Sequence, residues 1–367
     1  MARMDAVSKK TVGKIEKLAE AVLRSVKGGG NPFVEIPVRS LANVRFNPKK
    51  RVVELGGQRQ KRYFFNVSMA KKFMQTFLVS DACKELIESG KTTSIRDLYY
   101  ITKHTIGDTK QNTFEEQDES DPIIEDLEVA LDALREELHL FASRKGSMVG
   151  PITIRDSGDT IDLRRMGSGG WGVPSIVEEN VIQFGRHEAK YVLLVEKDAV
   201  WSRFNEDRFW KRQDAIIIHG GGQPPRGVRR LVQRLHRELS LPVYVLVDND
   251  PWGFYIYSVV KQGSINLAYE SMRMAVPSAR FVGLSSFDKV TYKLPSNVAI
   301  KMDDGDVARA KQMLAYPWFQ AKQWQNEIQE RVRSGQKYEL EALSRRGISF
   351  ITEEYLPKKL RDRDWLE

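Results

Sequence analysis

Four short stretches in the second half of the chain limit its fold most. They are "YVLLVE" (191–196), "DAIIIHG" (214–220), "PVYVLVDND" (242–250) and "RFVGLSS" (280–286). Each is nearly all apolar and too short for a buried helix. Helical patterns lie between them, such as Gly227 to Leu239. A strand that is apolar on both faces must be covered on both faces. Alternation with helices then predicts a parallel, Rossmann-like sheet and an α/β class.

The rest of the chain breaks into smaller patterns. Ile15, Leu18, Val22 and Val26 recur at helical spacing, which predicts an amphipathic helix over 10–27 that ends at Gly28. Its apolar stripe must cover either this chain or a partner. Between Phe33 and Val67 come short strand-like runs broken by Asn-Pro and Gly-Gly, the pattern of a small meander. Met69 to Ser89 is a helix stopped by Gly90. Ser94 with Asp97 forms a capping box that opens a second helix, "IRDLYYITKH". Asp121-Pro122 starts a third, with Asp as N-cap and Pro first in the helix, running to about Phe141. "SMVGPITIRD" and "TIDLRR" follow as a hairpin. Three helices and then a hairpin is the order of a winged helix-turn-helix. "MGSGGWGVP" (166–174) is a linker or hinge, and the end of the chain is mostly helical. The expected division is an N-terminal helical extension (1–30), a strand-rich segment (31–68), a winged-helix domain (69–165) and an α/β domain with C-terminal helices (175–367). Trp318, Phe319 and Trp324 are either core or partner surface.

Charge points to a polyanionic partner. Lys and Arg number 58 against 49 Asp and Glu, a net charge of +9. One segment runs against this: Glu115 to Glu137 holds eleven acids and one Arg, and would repel a phosphate backbone. It is expected to be a solvated or partner-facing surface. The single cysteine, Cys83, excludes an intrachain disulfide and a cysteine-cluster zinc site. No apolar run approaches a membrane span, and the N-terminus lacks the apolar core of a signal peptide. A soluble, cytoplasmic protein is the expectation.

In a parallel sheet, ligands bind at the carboxyl ends of the strands. Two of the strands end there in acids: Glu196, and Asp248 with Asp250. Residues i and i+2 point the same way along a strand, so the two aspartates converge, with Glu196 opposite. Three carboxylates without cysteine suit a hard cation, Mg²⁺ first. The competing assignment is local: Asp-Asn-Asp-Pro is also good turn and cap chemistry. Nearby Arg226, Arg229, Arg230 and Arg234 are candidate DNA-backbone contacts, or a solvated helix face. The run Gly220 to Gly222 follows a strand and allows backbone approach to DNA or metal, or is a plain loop. "ESGKTT" (88–93) lacks the leading glycine of a phosphate-binding loop and sits at a helix end, so it is a helix stop.

On the "IRDLYYITKH" helix, Ile95, Leu98, Tyr99 and Thr102 share a core face. Arg96, Tyr100 and Lys103 share another. Tyr99 is therefore the packing residue. Tyr100 stands among cations, which favour a phenolate whose ordinary pKa is near ~10. It is either a nucleophile, with Arg96 on the phosphate under attack, or an ordinary phosphate-contacting tyrosine, as Lys103 is a candidate DNA contact.

Taken together, "RDLYY", "LLVEKD", "GGGQPPRG" and "VDNDPWGFYIY" closely resemble the A subunit of DNA topoisomerase VI, a family that includes the meiotic protein that makes double-strand breaks. The resemblance runs from about Phe33 to the C-terminus. It implies a winged-helix (CAP-like) domain followed by a Toprim domain. It implies that Tyr100 becomes linked to a DNA 5′ phosphate, that Arg96 stabilises the transition state, and that Glu196, Asp248 and Asp250 hold Mg²⁺. It further implies a homodimer of A subunits, each tyrosine working with its partner's acids. Strand passage is then driven by ATP on a separate B subunit, in an A2B2 heterotetramer. Family members carry a lysine in the glycine run, which this chain lacks. Three rivals remain at this point: a Toprim nuclease or meiotic-type break-maker without resealing, a glycosyltransferase using Asp-x-Asp, and a non-catalytic winged-helix protein.

Overall fold

The structure, a computed structural model, describes residues 4–367. It divides into two compact units: the chain up to Val44 with Leu55–Ser143, and Arg45–Glu54 with Arg144–Glu367.

In the first unit, helix α1 (Ala6–Lys27) begins at Asp5, whose carboxylate accepts from the Ser8 N–H, and ends at Gly28. Strands β1 (Phe33–Pro37), β2 (Val44–Asn47), β3 (Val52–Leu55) and β4 (Arg59–Tyr63) follow. They are nested rather than meandering. β1 pairs with β4, while β2 and β3, which lie between them in the sequence, pair as a separate two-stranded sheet. Asn43 fixes the nest, its carboxamide donating to the carbonyls of Val38 and Gln58. The strand-rich segment is therefore not a body of its own: β1 and β4 belong to the first unit, and residues 45–54 count with the second.

Helix α2 (Val67–Ser89) stops at Gly90, which sits at φ +66, where a side chain would be strained. Then come β5 (Thr93–Ser94), α3 (Ile95–Thr102), α4 (Ser120–Leu131) and β6 (Leu140–Phe141), with β5 and β6 parallel. α1 to α4 close over one core that includes Val12, Ile15, Cys83, Ile87, Leu98, Phe114 and Leu127.

α4 departs from expectation in three ways. A 3-10 turn (Gln117–Glu119) feeds into it, so Glu119 takes the cap position and Asp121-Pro122 lies inside the first turn. It stops at Leu131, ten residues before Phe141, because Asp132 turns the chain at φ +46. Nor is its acidic face simply solvated. Asp126 is buried and pairs with Arg39 at 2.8 Å and with Arg62, while Glu125 also pairs with Arg39. These acids neutralise cations of the same unit.

The second unit contains β7 (Ser147–Val149), β8 (Ile152–Asp156), β9 (Asp159–Asp162), β10 (Trp171–Gly172), β11 (Ile182–His187), β12 (Tyr191–Val195), α5 (Asp198–Glu206), α6 (Phe209–Arg212), β13 (Ala215–His219), α7 (Arg226–Leu239), β14 (Val243–Leu246), α8 (Pro251–Gln262), α9 (Ser271–Met274), β15 (Arg280–Phe281), α10 (Ser286–Thr291), α11 (Asp304–Leu314) and α12 (Lys322–Ser334). Its main sheet has the order β10-β7-β13-β12-β14-β15. β13, β12, β14 and β15 are parallel, and β7 joins β13 antiparallel.

Both faces are covered, as the apolar strands require. Val192 and Leu194 of β12 enter the core shared with α7 and α8, and Leu193 and Val195 the core shared with α5 and α6. Each such fully buried side chain stabilises the fold by roughly 1.5–3 kcal/mol. Phe319 and Trp324 lie in the first of these cores and Trp318 packs against it. Those aromatics are core, not partner surface.

Two expectations are corrected here. The β8–β9 hairpin, expected as the wing, forms a three-stranded sheet with β11 and belongs to the second unit. The glycine-rich stretch is no free linker either. Trp171 is buried and pairs with Met148, and a Cβ on Gly170 would lie 2.9 Å from the Trp201 ring. Among the described residues, no helix is long and apolar enough to cross a membrane.

Candidate active site

The first cluster of candidate groups is on α3. The Ser94 hydroxyl accepts from the Asp97 N–H at 3.0 Å and starts the helix. The helix has only eight residues, and its two faces separate cleanly. Leu98, Tyr99 and Thr102 are buried, whereas Arg96 is exposed and Tyr100 is 60% exposed. The Tyr99 hydroxyl is committed: it donates to the Glu115 carbonyl at 2.8 Å and accepts from Lys103 Nζ at 2.7 Å. The two rings meet edge to face at 5.0 Å.

Lys103 is placed differently from expectation. The helix ends at Thr102, and Lys103 takes an extended backbone (φ −81, ψ 113). It therefore leaves the Arg96–Tyr100 face. Its ammonium lies over the Tyr99 ring and also donates to the Glu115 carbonyl. Its hydrogen bond with Tyr99 raises its pKa.

The second cluster is at the carboxyl ends of β12 and β14, which are hydrogen-bonded neighbours. The Asp248 N–H donates to Glu196 Oε2 at 3.1 Å. Asp248 Oδ1 accepts from the Leu340 N–H at 2.8 Å, and Oδ2 lies 2.8 Å from Lys197 Nζ. Lys197 also reaches Glu341 at 3.0 Å and Glu339 at 3.3 Å. Asp250 caps α8, accepting from the Gly253 N–H at 2.6 Å. Asn249 is fixed from two sides: its backbone pairs with Tyr338, and its carboxamide donates to Glu327 and to the Leu284 carbonyl.

Burial pushes all three carboxyls up: Glu196 to about 8, Asp248 to about 6, and Asp250 in the same direction. Each is raised further by neighbouring carboxylates. Burial works against the Lys197 ammonium, but its pairing with Asp248 and Glu341 outweighs this and raises its pKa. One buried and two half-buried carboxyls that repel one another are chemically suited to a hard divalent cation. No three His, Cys, Asp or Glu side chains stand ready-made as a metal cage among the described residues. The chain's own N–H groups and Lys197 hold these acids instead.

The Asp-x-Asp pair is thus both cap and acid cluster, because Asp250 performs the local role without losing its second oxygen to it. The glycine run serves the same corner: the Gly222 N–H donates to the Glu196 carbonyl at 2.9 Å. Gly253 is obligatory here, since a Cβ would sit 2.5 Å from the Asp248 carbonyl oxygen. Gly253→Ala is therefore expected to move the Asp248–Asp250 turn. A lowered melting temperature and a weakened Mg²⁺ response in the same thermal-shift series would register it.

A pH effect follows from Glu196. In the native chain it keeps its proton to a higher pH than when unfolded, so the unfolded state binds fewer protons between about pH 4.5 and 8, and stability falls as pH rises through that window. In EDTA, the melting temperature of wild type should fall more steeply across that range than that of Glu196→Gln. Parallel curves would show that Glu196 is not the group responsible.

The arginines of α7 do not stand free for phosphate. Arg229, Arg230 and Arg234 are at least nine-tenths buried. Arg226 pairs with Glu270 at 3.0 Å, and Arg230 with Glu178 at 2.8 Å. Arg234 pairs with Glu238 and donates to the Ile182 carbonyl. Burial lowers the Arg229 pKa to about 10. The basic face of α7 packs inward on Glu178 and Glu270, acids far from it along the chain: Glu178 is 52 residues from Arg230.

Sequence reasoning missed the strap of residues 336–341, which holds Asp248 and Asn249, and missed Lys197. The one signal for Lys197 is its position directly after Glu196.

Three family models match the chain. "Type IIB DNA topoisomerase" covers residues 71–140, which include α3. "All-beta domain in DNA topoisomerase VI alpha subunit" covers 145–188. The model of the Toprim domain shared by the topoisomerase 6 A subunit with Spo11 covers 191–360, which include all three acids. Among curated proteins, the A subunit of type 2 DNA topoisomerase 6 from Pyrococcus horikoshii is 44% identical, over 96% of this chain and 94% of that protein. Its counterpart from Hyperthermus butylicus is 42% identical, over 98% and 96%. That from Methanothermobacter thermautotrophicus is 34% identical, over 95% and 96%. With identity of this order along nearly its whole length, the chain belongs to the topoisomerase VI A-subunit family.

Proposed function

We infer that this chain is the DNA-cleaving and resealing A subunit of a type IIB topoisomerase, with Tyr100 as its nucleophile. The observation that carries the choice of tyrosine is the division of α3. Tyr100 is exposed beside Arg96, while the Tyr99 hydroxyl is spent on Glu115 and Lys103.

In this reading Tyr100 Oη bonds to a backbone phosphorus as the bond from that phosphorus to the neighbouring 3′ oxygen breaks. The phenolic proton is lost, and the 3′ oxygen gains one. One phosphoester replaces another, so the reverse step reseals the strand without ATP. Arg96 presents its planar fork to the charge that grows on the phosphate. Glu196, Asp248 and Asp250 would hold Mg²⁺, which when bound would supply Lewis-acid charge to the phosphoryl transfer. α2, α3 and α4 act as a DNA-binding unit of the helix-turn-helix kind, without the β8–β9 hairpin as its wing.

One tyrosine cuts one strand, so a double-strand break takes two A subunits. ATP-driven strand passage takes a B subunit, in an A2B2 assembly that works on DNA in the cytoplasm. The test is reconstitution. With a B subunit, Mg²⁺ and ATP, the chain should relax supercoiled DNA, and each component alone should not. Linear product without relaxation would favour a nuclease.

A further inference from the structure

We propose that Arg309 is a DNA-phosphate contact beside the acidic cluster, held ready by Trp252 and Tyr255. The proposal rests on the reading of the chain as a DNA-cleaving protein and adds a residue to it.

α8 starts directly after Asp250, and Trp252 and Tyr255 lie three residues apart, on one face of its first turns. Trp252 is 41% exposed, a large aromatic left in solvent two residues from a candidate metal ligand. The Arg309 guanidinium, from α11, lies 4.5 Å from the Trp252 ring centre and 4.6 Å from that of Tyr255. α11 also reaches the acidic corner. Asp306, one turn before Arg309, pairs at 2.7 Å with Lys337, the neighbour of the Tyr338 that pairs with Asn249.

The charge on Arg309 is unspent. Among the described residues no carboxylate pairs with it. Its side-chain hydrogen bond is a long one, 3.3 Å, to the neutral Gln312, and its buried Nε has no partner. Arg280 makes the contrast: it too faces two rings, but it pairs with Glu367. Stacking on aromatic faces fixes the plane of a guanidinium and leaves its N–H edge open. A fork held in this way suits the two oxygens of a backbone phosphate and loses little freedom on binding. Arg226, Arg230 and Arg234 of α7, by contrast, are consumed by Glu270, Glu178 and Glu238, and Arg229 is buried.

The test is duplex-DNA binding by the full chain, followed by fluorescence anisotropy over a KCl series, with Tyr100→Phe in every sample to prevent cleavage. Arg309→Gln should weaken binding about tenfold and reduce the salt slope by about 0.9. Arg309→Lys should keep the slope yet bind more weakly than the parent, because charge survives and the fork does not. Trp252→Leu should likewise weaken binding with the slope intact. If Arg309→Gln matches the parent in affinity and slope while the parent binds DNA, the proposal is overturned and the topoisomerase reading stands. If the parent itself shows no salt-dependent affinity for the duplex, both fall.

Discussion

Tyr100→Phe is expected to abolish covalent capture of DNA, lowering adduct yield by at least about a thousandfold, while Tyr99→Phe keeps it. The two residues are adjacent and chemically identical, so the contrast isolates position. Tyr100 is 60% exposed and lies one helical turn from the exposed Arg96. Losing that oxygen removes the attacking atom and almost nothing else, so the melting temperature should not move. Tyr99→Phe removes an oxygen bonded to the Glu115 carbonyl and to Lys103. It should cost about 1 kcal/mol of stability and leave the chemistry in place. Rapid denaturation of cleavage reactions, with counting of protein-linked DNA, reads both. Adducts at wild-type yield in Tyr100→Phe would refute the assignment.

The second large effect is expected at the acids. Asp248→Ala should reduce cleavage by at least about a hundredfold and abolish the rise in melting temperature that Mg²⁺ is expected to produce in the wild type. Asp248 is the most constrained of the three, gripped by Leu340 and Lys197. Its loss leaves Lys197 to Glu339 and Glu341, so the fold should survive while the corner no longer gathers three carboxylates. Duplex binding should persist, since the lost charge is negative. Thermal melts with and without Mg²⁺ separate this from unfolding. An unchanged Mg²⁺ response in Asp248→Ala would mean the ion binds elsewhere.

What the sequence disclosed, and what it withheld, follows a physical line. β12, β13 and β14 were legible because a nearly all-apolar strand states its own burial on both faces. The faces of α3 were legible because helical spacing alone assigns them. Glu196 and Asp248 are neighbours because the sheet sets β12 beside β14. The misreadings turn on partners distant in sequence or on chain reversals. The α7 arginines look like a basic face until Glu178 and Glu270 are brought against them. The acids of α4 look solvated until Arg39, just after β1, and Arg62 of β4 are brought against them. Lys103 leaves its expected face because α3 ends one residue earlier. The β8–β9 hairpin follows the helices in sequence, yet packs with β11. Local pattern does not carry such choices.

The most direct measurement is the identity of the residue on cleaved DNA. Cleavage complexes formed with Mg²⁺ and a B subunit would be denatured, digested with protease and nuclease, and the nucleotide-bearing peptide sequenced by mass spectrometry. The account predicts a peptide containing "DLYYITK" with the nucleotide on Tyr100, joined through a 5′ phosphate. A nucleotide on Tyr99, on another residue, or on a 3′ phosphate would contradict it.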